Sequence, residues 1–142
     1  MKLSTKGRYG LRALVDLAVH SETGPVSIQS IANRQEISVS YLEQLVGKMR
    51  RAGLVISVRG ATGGYRLAKP PSEISVGDVL RALEGTLEAV DCPGNSEVSA
   101  CKASQKCVTK YVWKKINESI SQAVDTIMIE QLVQESKKVN GL

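Results

Sequence analysis

The chain has 142 residues with one tryptophan, four tyrosines and no phenylalanine, so one domain's core must be built from Leu, Val and Ile. No apolar run approaches the roughly 20 residues of a membrane span, and Arg8, Arg12 and Asp16 interrupt the place of a secretory signal, so a cytoplasmic protein is expected. Net charge is +5, but residues 1–70 hold eleven Lys or Arg against four Asp or Glu, while residues 71–142 hold eight against ten, so the first half suits an anionic partner.

Leu11, Leu14, Val15, Ala18 and Val19 recur at three- and four-residue steps, which predicts a helix from Ser4 to about Ser21. After the Gly24-Pro25 break, Ser27 caps a short second helix carrying Ile28, Ile31 and Ala32. The third spans Ser38 to Arg51, with Ile37-Ser38 as connector. Ser40-Tyr41-Leu42-Glu43 fits a capping box there, and Leu42, Leu45, Val46 and Met49 form its buried stripe, ended by Gly53. Leu54–Val58 and Tyr65–Leu67 read as strands of a hairpin whose tip, Arg59 to Gly64, is basic and glycine-rich. The order helix, helix, helix, hairpin is that of a mainly α, winged helix-turn-helix fold.

Ser75 and Asp78 start a fourth helix that Gly85 stops. Residues 86–107 lack clean periodicity. From Val108 on, Val112, Ile116, Ile120, Ala123, Val124 and Ile127 predict a helix about 28 Å long. Such a narrow stripe after a complete DNA-binding module reads most simply as a dimerisation helix, with packing on its own subunit as the alternative. A short last helix holds Ile129, Leu132 and Val133, and residues 137–142 look frayed. The expected divisions are a winged helix-turn-helix domain at 1–71, a connecting helix with a three-cysteine loop at 72–107, and dimerisation and C-terminal helices at 108–142.

In a helix-turn-helix, the second helix of the pair faces base edges while flanking groups hold phosphates. Exposure is predicted for Ser40, Tyr41, Glu43, Gln44, Lys48 and Arg51. Gln44 matches the N6/N7 edge of adenine and Glu43 the amino group of cytosine, whereas Lys48 and Arg51 suit phosphates. Arg59 at the hairpin tip suits a narrow minor groove. Glu43 has two open readings, a local cap for the helix and a selector against bases that offer no donor.

Cys92, Cys101 and Cys107 lie within sixteen residues at spacing C-x8-C-x5-C. An odd number argues against a disulfide framework, and the absence of a C-x2-C pair weakens zinc. Three thiolates from one loop can bind an iron–sulfur cluster, but a fourth ligand is then missing. Three unrelated cysteines remain the other reading.

Leu3-Ser4-Thr5-Lys6-Gly7-Arg8-Tyr9, Ile37 to Leu45, Gly53-Leu54-Val55, Val58-Arg59-Gly60 and Gly63-Gly64-Tyr65 carry a resemblance to a known family. It continues through the cysteine triplet, Cys107-Val108-Thr109 and Trp113. The sequence resembles the bacterial iron–sulfur cluster regulators, within a wider family of winged-helix transcription regulators that includes nitric-oxide sensors and repressors of cysteine metabolism. The resemblance implies a homodimer with crossed long helices that binds a double-stranded DNA operator. It implies a [2Fe–2S] cluster on Cys92, Cys101 and Cys107, and control of iron–sulfur biogenesis genes. DNA contacts are implied for Ser38, Ser40, Tyr41, Glu43 and Gln44, with Arg59 in the minor groove, and Glu43's position helps set which operators the cluster-free form accepts. Partners in iron–sulfur assembly or cysteine biosynthesis are further implied. The fourth-ligand positions of the family hold Lys110 and Arg8 in this chain, and the single histidine, His20, is expected at the surface. A cluster-free, thiol- or partner-dependent repressor of cysteine metabolism is the alternative. A thiol oxidoreductase is remote, because no C-x-x-C pair or acid–base set around a histidine is present.

Overall fold

The computed structural model describes residues 3–90 and 106–141; Cys92 and Cys101 lie outside the described residues. The first helix, α1 (Thr5–His20), is capped by Ser4, whose Oγ accepts from the Lys6 amide. It is the axis of the module, packed by α2 (Ile28–Gln35), α3 (Val39–Arg51), α4 (Val76–Glu84) and α6 (Ile129–Val139). That central place explains why Ala13, Leu14, Leu17 and Ala18 are all buried. Gly10 lies where a Cβ would collide with Leu83 of α4, so its missing side chain sets the close approach of the two helices.

Strands β1 (Val55–Val58) and β2 (Gly64–Leu67) pair antiparallel, with Val55 opposite Leu67 and Val58 opposite Gly64. Val26, just before α2, joins this hairpin by a two-way bridge with Tyr65, N to O distances 2.9 and 2.8 Å. The wing is thereby tied to the start of the helix-turn-helix. Ser27 caps α2 as predicted, and Ser75 and Asp78 form a full capping box at α4, each bond 3.0 Å. After the hairpin, residues Pro71–Glu73 make one 3-10 turn that packs on α6.

The long helix is shorter than its sequence period. Helix α5 (Lys110–Asp125) has 16 residues, about 24 Å. Val108 precedes it, and the Ile127 carbonyl instead accepts from the Val76 amide at 2.8 Å, in a bridge beside Ser75 and Met128. The predicted fraying at Lys137 is also corrected. Helix α6 continues to Val139, because buried Ile129 and Val133 hold it on the module and Lys137 pairs with Glu22 at 2.6 Å. Among the described residues no helix is long and apolar enough to cross a membrane.

Glu84, at the end of α4, receives the Ser4 amide (2.9 Å), the Ser4 hydroxyl (2.5 Å) and the Gly7 amide (2.9 Å). Its burial pushes the carboxyl up, but the hydrogen bonds from Ser4 and Gly7, with Lys6 nearby, outweigh this and hold it below the usual glutamate range. A depressed folded value stabilises the fold above the ordinary glutamate pKa of about 4.3, and the gain is lost as pH falls through the folded value. The melting-temperature gap between wild type and Glu84→Gln should therefore be widest near neutrality and close in acid. A gap independent of pH would contradict this role.

Candidate nucleic-acid interface

The start of α3 differs from the expected capping box. Ser38, not Ser40, is the N-cap, its Oγ accepting from the Tyr41 amide at 3.3 Å. The reason is the apolar register: half-buried Val39 begins the stripe continued by Leu42, Leu45, Val46 and Met49, so the helix must start there. Glu43 then lies too far along to close a box on Ser40. Its carboxylate is exposed and has no hydrogen-bond or ion-pair partner among the described residues. The local role weighed for Glu43 falls away.

At 3.6 residues per turn, Ser40, Glu43, Gln44 and Arg51 share one exposed face, with half-buried Lys48 at its edge. Gln44 likewise makes no side-chain bond to a described residue, so both its amide groups are open to solvent. Arg50 and Arg51 in the last turn complement the negative end of the helix and keep the face positive. Arg59 is exposed directly after β1, in a turn where the Gly63 amide meets the Gly60 carbonyl at 3.0 Å. Gly60 has φ of 115°, a backbone shape that favours glycine. The hairpin thus offers Arg59 at a tight tip beside the helix-turn-helix.

Tyr41 behaves differently from its neighbours. Its ring is half-buried and meets Tyr9 edge-on, centroids 6.3 Å apart, and its hydroxyl is 3.2 Å from that of Thr5. Arg12 lies 5.3 Å over the Tyr9 ring and donates to the Gln35 carbonyl at 2.9 Å. Asp16, buried in the middle of α1, accepts from Arg34 Nε (3.0 Å) and Nη2 (2.7 Å) and from Gln35 Nε2 (2.9 Å). This chain of contacts fixes α2 and α3 on α1, and with them the aim of the reading face. His20 is at the surface, as expected, with Nδ1 2.9 Å from the Asp16 carbonyl oxygen.

At the other end of the chain, half-buried Cys107 places Sγ 3.1 Å from the Thr109 hydroxyl, one residue before α5. That hydroxyl, then the Lys110 and Thr109 amides and the Lys110 charge, lower the thiol's pKa against the effect of burial. A thiol so held favours the thiolate, the form that ligates metals, so Cys107 is chemically suited to be one ligand. Half-buried Lys110 stands where the family's fourth ligand is expected, and Arg8 is exposed on the first turns of α1. Among the described residues no three His, Cys, Asp or Glu converge as a metal site.

The family model described as the iron-dependent transcriptional regulator Rrf2 matches residues 3–135. The chain belongs to the Rrf2 family. It is 44% identical over 133 residues to the transcriptional regulator IscR of Aliivibrio salmonicida, a match covering 94% of this chain and 77% of that protein. Among solved structures, the IscR of T. potens is 45% identical with a TM-score of 0.77, covering 98% of this chain and 90% of that one. CymR, the global cysteine regulator of B. subtilis, is 38% identical with a TM-score of 0.78, covering 95% and 98%. As an Rrf2 protein the chain is a DNA-binding transcription regulator of winged-helix type and not an enzyme.

What the sequence did not disclose in this Rrf2 module is its polar scaffolding. Asp16 is set among Ala13, Leu14, Leu17 and Ala18, and a charge inside an apolar stripe signals a partner without naming it. Arg34 and Gln35, which hold α2 on α1, and Glu84, which holds the start of α1 on α4, carry no local sequence signal of these roles. Helix α5 packs on its own subunit through its second half only. Ile120 and Val124 are half-buried against the core, while Tyr111, Val112 and Ile116 in its first half are exposed.

Proposed function

We propose that the protein is a homodimeric regulator that reads operator DNA with α3 and the hairpin, and senses iron–sulfur status through a [2Fe–2S] cluster. The single observation carrying the reading is the uncommitted face of α3: Ser40, Glu43 and Gln44 are exposed, and neither Glu43 nor Gln44 is spent on the fold. Gln44 takes the adenine edge, Glu43 the cytosine amino group, and Ser38, Ser40 and the Tyr41 hydroxyl adjoin the backbone. Lys48 and Arg51 neutralise phosphates, and Arg59 enters the minor groove. Cys92, Cys101 and Cys107 would hold the cluster, whose irons would supply the redox and nitric-oxide chemistry. The exposed first half of α5 supports self-association, with Tyr111, Val112 and Ile116 covered by a second copy.

Two recognition helices must stand about 34 Å apart to enter successive major grooves. The three-cysteine segment lies between the reading module and α5, so binding at its thiolates can bias that spacing. The bias is only as large as the cluster's preference for one arrangement over the other. The targets on this reading are iron–sulfur biogenesis genes. Anaerobic reconstitution with iron and sulfide should give a coloured protein with about two irons and two sulfides per chain. Colourless protein with only traces of either would overturn it.

The second reading, a cluster-free repressor of cysteine metabolism responding to thiols or to a biosynthetic enzyme, is favoured by the similarity to the cysteine regulator CymR. Alanine at Cys92, Cys101 and Cys107 tests its enzyme-partnered form. Signal-dependent DNA binding that survives in the triple variant supports that form against both the cluster and a thiol sensor.

A further inference from the structure

Helices α1 and α6 do not close fully on each other, and the cleft between them holds a cavity of about 740 Å³. That lies within the roughly 300–1,000 Å³ typical of small-molecule sites. Leu11, Val15 and Val19 of α1, with Leu132 and Val139 of α6, give it an apolar wall. The first four are buried or half-buried, whereas Val139 stands at the mouth, 82% exposed. None of them belongs to the exposed stripe of α5, so self-association through that stripe does not call on them.

At the α2 end the lining turns cationic, with Arg12 and Arg34 beside Gln35. Both guanidiniums are already held in place. Arg34 spends Nε and Nη2 on Asp16, and Arg12 spends Nε and Nη2 on the Gln35 side chain and carbonyl. Nη1 of each has no hydrogen-bond partner among the described residues. Donors fixed before a ligand arrives lose little side-chain freedom when they meet an oxygen anion.

The charge of such a ligand follows from its surroundings. Among the lining side chains, Arg12 and Arg34 are offset by Asp16 and Glu135, and His20 sits beside Asp16. Glu135 lies at the rim, 66% exposed, and pairs with Lys138 at 3.4 Å. The site is thus near neutral, and its attraction for an anion is local to the two arginines. A phosphate monoester would bring two negative charges to an apolar wall, whereas a carboxylate brings one. Its two oxygens suit two separate donors.

We propose that the cleft between α1 and α6 is an effector site for a small carboxylate with an apolar body, its carboxylate on Arg12 and Arg34. The same arginines hold the end of α2 on α1, so a ligand that draws on them acts on the aim of α3. The effect arises from unequal affinity for the free and DNA-bound arrangements, and it is reciprocal.

Octanoate, octan-1-ol and acetate supply body with head, body alone and head alone, and each is titrated into the full metal-free chain by calorimetry. Octanoate should bind once per chain, about tenfold tighter than octan-1-ol, and acetate should not saturate in the same range. Val139→Asp alters an exposed residue and sets a like charge at the mouth. It should lower the ratio of octanoate to octan-1-ol affinity about threefold, and Val139→Lys should raise it, with melting temperatures little changed. Saturating octanoate should shift affinity for a duplex selected from a random pool by about fivefold. No saturable binding of octanoate, octan-1-ol binding as tightly, or an affinity ratio indifferent to both Val139 variants would overturn the site. Unchanged DNA affinity at saturation would overturn its effector role.

Discussion

Arg34→Ala is expected to lower the unfolding free energy by about 2–4 kcal/mol, a little under the roughly 3–5 kcal/mol seen when one partner of a fully buried ion pair is removed, because Arg34 itself is partly exposed. Asp16 is almost wholly buried, and Arg34 supplies most of its hydrogen bonds, at 2.7 to 3.2 Å. Without them only Gln35 and the nearby His20 remain to meet a carboxylate in an apolar helix face. The cost arises from the stranded Asp16 rather than from the loss of Arg34's own contacts, because Arg34 is about one-third exposed, at 34%. Arg34→Lys should recover only part of the loss, since an ammonium cannot reproduce the forked geometry. Urea titration of the three proteins measures the differences. A loss below about 0.5 kcal/mol, the usual size of an exposed pair, would show that Asp16 is not what locks α2 to α1.

Gln44→Ala should cost about 1–3 kcal/mol on the preferred duplex and nearly nothing on random DNA. Lys48→Ala should weaken both alike and lower the salt slope by about one. The contrast follows from position. Gln44 shares the outward face with Ser40, and its amide is free; Lys48 is a turn further along, at the edge of that face. Titrations at two salt concentrations separate the effects. Equal losses on both duplexes for Gln44→Ala would remove it from the reading set.

Much of this architecture is legible from residue order because the local signals agree. Ser27 and Ser75 each precede a clear apolar period, and both are caps. The β-branched run 54–58 and the glycines after Arg59 fold as the hairpin they describe. Ambiguity arose where two residues of the same chemistry compete. Ser38 and Ser40 can each cap a helix, and only the packing of Val39 decides for Ser38. Periodicity also overran α5, because Val108 and Ile127 continue its spacing while the backbone at Ile127 is committed to Val76. The scaffolding pairs, Asp16 with Arg34 and Ser4 with Glu84, join residues 18 and 80 positions apart, a distance no local pattern spans.

Moving the cap to Ser38 has a consequence for selectivity. It frees Glu43, so the only described role left for that carboxylate is outward. On a phosphate-facing surface an unpaired negative charge opposes binding unless a base amino group receives it. A discriminating residue of this kind is where a change in helix spacing would be felt.

The most direct trial of the account is one anisotropy titration. Cluster-loaded and cluster-free protein are measured on the duplex that the cluster-free form itself selects from a random pool, with Glu43→Ala alongside. The account predicts that the two forms differ in affinity by about tenfold, or 1.4 kcal/mol, and that Glu43→Ala narrows the difference. Identical affinities of the loaded and cluster-free wild-type protein would contradict it.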